Sequence, residues 1–109
     1  MAYNKATAER IRQLLAGREG VTEKSMFGGY SFLLHGKMGV GILGEDLVVR
    51  VKPEDAPALL DDPSVRPMDF TGRAMKGFVY VAPEGYASDV ALQEWLERGM
   101  SVAQELAEK

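Results

Sequence analysis

An α+β fold is predicted for this chain: a two-layer α/β sandwich, with one antiparallel sheet covered on one face by the first and last helices. Three observations predict it. Two segments, one near each end, carry apolar residues at helical spacing. Between them lie short apolar runs joined by glycine-containing turns too brief for crossover helices. An amphipathic helix and a half-apolar sheet each have to bury one side, and packing them against each other satisfies both.

Residues 4–16 form the first predicted helix. Ala8, Ile11, Leu14 and Leu15 share one side, Glu9, Arg10, Arg12 and Gln13 lie largely on the other, Asn4 is placed to cap the start, and Gly17 or Gly20 to close the end. The first predicted strand runs from Tyr30, with Tyr30, Phe32 and Leu34 on one face and Ser31, Leu33 and His35 on the other. Gly36-Lys37 falls where a two-residue hairpin turn belongs. The returning strand sets Met38, Val40 and Ile42 on one face and Gly39, Gly41 and Leu43 on the opposite one. After a turn at Gly44-Glu45-Asp46, residues 47–51 make a third strand. Pro53 suits the first position of a short helix with Ala56, Leu59 and Leu60 as its apolar side. A strand near Val65–Phe70 and a buried strand Phe78-Val79-Tyr80-Val81 follow. Pro83-Glu84-Gly85 turns the chain, and Ser88 caps a long last helix with Leu92, Trp95, Leu96, Gly99, Val102, Ala103 and Leu106 on one stripe. Trp95 is expected as a core anchor on that stripe. The element order is α-β(3)-α-β(2)-α, in a single domain over residues 1–109.

Composition narrows the chemistry. The 109 residues are 46% hydrophobic and 27% charged, in the range of an ordinary globular domain. A net charge of −3 gives no bulk attraction to phosphate polymers, and no helix-turn-helix pattern occurs, so direct nucleic-acid binding is disfavoured. With no cysteine there are no disulfides, thiolate metal sites or thiol nucleophiles. No apolar run approaches the roughly 20 residues that span a bilayer, and the first residues are not those of a signal peptide. A cytoplasmic protein without membrane contact is expected.

Catalytic patterns are missing. Met26-Phe27-Gly28-Gly29-Tyr30 is glycine-rich but leads into a strand, not into the Gly-Lys-Ser/Thr helix start of a phosphate loop. His35 is the only histidine, expected at a hairpin tip, with no carboxylate or cysteine spaced to join it at a metal, and no serine lies in a nucleophile-elbow context. No metal and no cofactor are expected, and the chain reads as a non-enzyme. Gly39 and Gly41, two apart, bare a strip of one sheet face where either a helix or a ligand can approach, and Gly99 would complement close helix packing.

The residues that stand out lie at 66–81, where charges alternate with large apolar side chains. Arg50, Arg66, Arg73 and Lys76 are the candidates for a cationic surface that binds a partner or an anion. Asp69, with arginines three residues before and four after, is placed to pin its own loop together with Gly72 and Gly77. The competing reading is an internal Asp69–arginine pair with the remaining charges simply solvated.

The chain resembles the N-terminal domain of the TfoX/Sxy family of bacterial competence regulators. The resemblance rests on Met26-Phe27-Gly28-Gly29-Tyr30, Gly36-Lys37-Met38, Leu47-Val48-Val49-Arg50-Val51 and, most specifically, on residues 66–81. It implies a secretion-chaperone-like sandwich and, by analogy of fold, a homodimer. The better-known regulators carry a second, C-terminal domain and act with the cyclic-AMP receptor protein at competence promoters; this chain is similar to a stand-alone member. The resulting expectation is a regulatory protein-interaction module whose partner is a protein such as a transcription regulator. The alternative is a small enzyme or ligand sensor with an anion pocket around Arg50 and Arg73.

Overall fold

The computed structural model describes residues 3–26, 29–70 and 73–108; the side chains of residues 26, 68–70 and 73–76 are outside that description. The described residues form helix α1 (Lys5–Leu14), strands β1 (Val21–Met26), β2 (Gly29–Leu34), β3 (Lys37–Leu43) and β4 (Asp46–Arg50), helix α2 (Ala56–Leu59), strands β5 (Val65–Phe70) and β6 (Arg73–Val81), and helix α3 (Asp89–Ala107). The six strands make one antiparallel sheet in the order β1-β2-β3-β4-β6-β5. The architecture is the expected α+β one, with one strand more than the pattern predicted. The addition is β1, whose Thr22-Glu23-Lys24-Ser25 shows no apolar alternation because it is an exposed edge.

The caps fall where the residue types place them. Asn4 accepts a hydrogen bond from the Thr7 amide at 3.1 Å, and Ser88 one from the Ala91 amide at 3.1 Å. The β2–β3 turn sits one residue earlier than expected, at His35-Gly36, with Leu34 paired to Lys37. Both turn residues have positive φ, 51° and 84°, the requirement of a type I′ hairpin. The short helix also moves: Pro53 lies ahead of it in a turn, and Leu60 is exposed while Ala56 and Leu59 pack against the core.

A bulge in β3 decides which side chains enter the core. Phe32 pairs with Val40 but Leu33 with Met38, so Gly39 is an extra residue. Met38 is therefore turned away from Val40 and Ile42, contrary to simple alternation, and the predicted glycine strip is split. Gly39 faces α3, where an added Cβ would meet Met100 Sδ at 3.0 Å. Gly41 faces the other way, and a Cβ there would meet Met38 Cε at 2.9 Å. The anticipated contact between Gly99 and the sheet is made at Gly39 alone. A Cβ on Gly99 would fall on the Gly39 carbonyl oxygen and lie 2.7 Å from Val40 Cγ1.

The main core lies between the sheet and the helices. Ile11 and Leu15 from the α1 region and Leu92, Leu96, Met100 and Ala103 from α3 meet Phe32, Val40, Leu47, Val49, Val79 and Val81. Trp95 packs at the rim of this core, partly buried, and its indole N–H donates to the Gly85 carbonyl at 3.1 Å. It is an anchor at the edge, not at the centre as its place on the stripe suggested.

Candidate interaction face

The sheet has a second face, and its composition differs from the first. Met38 and Val48 are buried there, with Leu33, Leu43, Phe78 and Tyr80 partly buried around them. All six come from strands, and among the described residues no helix joins this cluster. The run 78–81 is thus not uniformly buried. Val79 and Val81 point into the core, while Phe78 and Tyr80 line the opposite face.

Two arginines lie on the aromatic rings of that face. In the β4–β6 ladder Arg50 is opposite Phe78, and its guanidinium carbon sits 4.6 Å from the ring centroid. In the β5–β6 ladder Arg66 is opposite Tyr80, with a corresponding distance of 5.1 Å. The cross-strand register produces both stacks, since directly paired residues project on the same side.

The electrostatics of the two cations differ. Arg66 Nη2 donates to Asp46 Oδ2 at 2.7 Å, and that carboxylate holds the guanidinium above its usual pKa. Arg50 Nε donates to the Met38 carbonyl at 2.5 Å, and among the described residues no carboxylate is within ion-pair distance. Burial pushes Arg50 below its usual pKa, because part of its hydration is lost without a compensating charge. The guanidinium remains protonated regardless, so Arg50 is a half-buried cation held against apolar surface.

Of the other residues singled out in the sequence, Gly77 has φ 89° and its carbonyl accepts from the Val51 amide at 2.8 Å, which ties the middle of β6 to the residue that follows β4. The backbone of Asp69 pairs with Ala74, but the side chains of Asp69, Arg73 and Lys76, and the whole of Gly72, lie outside the described residues. Arg66 has a partner that its neighbourhood in sequence did not indicate: Asp46, twenty residues earlier, brought beside it by the sheet order. A cleft of about 360 Å³ opens beside Arg50, between Val51, Lys52 and Gly77 on one side and Val102 and Leu106 of α3 on the other. Lys52 in that cleft is paired with Glu105 at 3.2 Å. His35 is exposed at its hairpin tip, and the described residues hold no cluster of three potential metal ligands. Among the described residues no helix is long and apolar enough to cross a membrane.

No curated protein and no solved structure matches this chain. A family model does: that of the TfoX N-terminal domain, over residues 13–103. The match takes in every described strand and most of α3, and the sheet and helices are those of that α+β domain; the chain belongs to the TfoX N-terminal domain family.

Proposed function

We propose that the chain is a non-enzymatic regulatory module that binds another protein through the helix-free face of its sheet, and that the partner brings a carboxylate to Arg50. The observation that supports this most is Arg50 itself, a half-buried cation with no carboxylate among the described residues, lying on Phe78. An acid delivered there would be charge-paired in a partly desolvated place, where such pairs are stronger than on open surface. The setting of methionine, tyrosine, phenylalanine and arginine is the composition enriched at protein interfaces. Family membership supports a competence-regulator-like module at a coarse level, and a transcription regulator is the partner class of this proposal.

The test is capture from the native host with the parent and with Arg50→Gln, followed by pairwise affinity measurement on the recovered protein. A buried arginine at the centre of an interface typically contributes 2 kcal/mol or more, about a thirtyfold loss in affinity. Equal binding by a folded Arg50→Gln would sink the proposal. A homodimer through the same face is the second part of it, supported by analogy of fold alone. Light scattering at micromolar concentration checks that part, and a strict monomer removes it. The reading as an anion sensor has one observation in its favour, the cleft beside Arg50. Saturable binding of a small organic anion, lost in Arg50→Gln, would move the conclusion to it.

A further inference from the structure

The sheet has two edges, and only one of them is closed to further strands. Pro67 is on the β5 edge. The Ala82 amide donates to the Ser64 carbonyl at 2.7 Å, so positions 64 and 82 form a hydrogen-bonded pair in this ladder. Alternation then makes 66/80 a bonded pair and directs the backbone groups of position 67, opposite Val79, outward. Proline stands at that outward position and has no N–H to offer, and the register shift beside it distorts the edge further.

The same reasoning applied to β1 gives the opposite result. The His35 amide donates to the Gly20 carbonyl at 2.9 Å, which fixes 20/35 as a bonded pair. Alternation along an unbroken register leaves the N–H and C=O groups of Val21, Glu23 and Ser25 pointing away from β2. No described residue bonds them, and this edge has neither proline nor bulge.

A second copy fits this edge poorly. Twofold strand pairing places residues of the same sheet face opposite each other, so the residue numbers of each pair must sum to an even value. The register using all three outward residues sets Glu23 against its own copy; shifting it one pair in one direction sets Lys24 against its own copy, and one pair in the other direction sets Thr22 against its own copy but leaves Ser25 without a strand partner. Like charges directly opposite are destabilising. The charge pattern suits a different strand. Glu23 is already held by Arg12 at 2.9 Å and by the Tyr30 hydroxyl at 2.7 Å. Lys24 projects on the other face and makes no ion pair among the described residues, at a wide pair where facing side chains come closest. We infer that β1 is a strand-addition site for an extended segment of another protein, antiparallel to β1, with an acidic residue facing Lys24 and a neutral one facing Glu23.

The probe is a capped peptide, Thr-Val-Glu-Val-Thr, compared at millimolar concentration with the same peptide carrying Lys at its centre. Amide chemical shifts and hydrogen exchange of the whole chain are followed by NMR. The expected result is shifts along β1, slowed exchange at Glu23 and Ser25, and about two- to fivefold tighter binding of the acidic peptide. Lys24→Glu should reverse that preference. Ser25→Pro removes one outward donor, as Pro67 does at the other edge, and should lose binding, while Ser25→Ala, which keeps the donor, should retain it. Shifts confined to the Arg50 face, undiminished binding by Ser25→Pro, or an unchanged preference in Lys24→Glu would each overturn the inference. So would concentration-dependent shifts of β1 without peptide, which would mean that a second copy occupies the edge.

Discussion

The two faces of this sheet are built from the same strands, residue by residue in alternation, yet they follow different rules. On the helix side Phe32, Val40, Val49, Val79 and Val81 are fully enclosed by α1 and α3. On the other side Leu33, Leu43, Phe78 and Tyr80 keep partial access, and arginines lie over the aromatic rings. Apolar area removed from water by the protein itself contributes to folding; apolar area left half-covered is available to association. On that difference rests the proposal that one face supplies stability and the other recognition.

The largest expected effect comes from neighbouring residues on opposite faces. Phe32→Ala should cost about 3–5 kcal/mol, as truncation of an enclosed aromatic does. Leu33→Ala, one position on, should cost about 1 kcal/mol, because its side chain is only partly withdrawn from water. Urea midpoints measure both. Comparable losses would mean that the second face is as enclosed as the first.

An intermediate effect is expected where helix and sheet come closest. Gly99→Ala removes the conformational cost of glycine within α3, worth about 1 kcal/mol, but its methyl group would collide with the backbone of Gly39. A carbonyl in a sheet cannot step aside as a side-chain tip can, so a net loss of about 1–3 kcal/mol is expected. A gain in stability would show that α3 rides higher on the sheet than described.

The smallest effect concerns a charge cluster on the helix side. Arg12, and then the Tyr30 hydroxyl, hold the Glu23 carboxyl below the usual carboxylate range. A carboxyl depressed in the folded state stabilises fully above its unfolded pKa of about 4.3, and the contribution is lost as pH falls through the lower folded value. Glu23→Gln should therefore cost under about 1 kcal/mol at neutral pH, since the cluster is largely solvent-exposed. The difference from the parent should be flat above about pH 6 and vanish in acid. A difference that grows on acidification would reverse the assignment.

Much of this comparison was legible in the residues. The helix stripes, both N-caps, the central strands and the Gly99 contact follow from periodicity and residue type, which are local properties. Three features were not legible, each for a physical reason. An edge strand need not alternate, so Thr22-Glu23-Lys24-Ser25 carried no strand signal. A bulge inserts one residue without a marker other than glycine, so the facing of Met38 was misassigned. Arg66 and Asp46 meet because β5 lies outside β6, an arrangement no spacing along the chain encodes. Arg50 and Arg66 stood out as charges among apolar neighbours, but their rings, Phe78 and Tyr80, were hidden in what looked like one buried run.

The order β4-β6-β5 has a consequence for the chain as it is synthesised. β5 leaves the ribosome before β6, yet the place beside β4 belongs to β6. Until residues 73–81 emerge, β4 has an open flank and β5 has nothing to join. In the nascent chain the backbone edge of Leu47, Val48 and Val49, which β6 covers in the folded sheet, therefore waits for its partner strand. That edge is covered only by the later of the two strands, and the earlier one, β5, reaches the sheet only through β6.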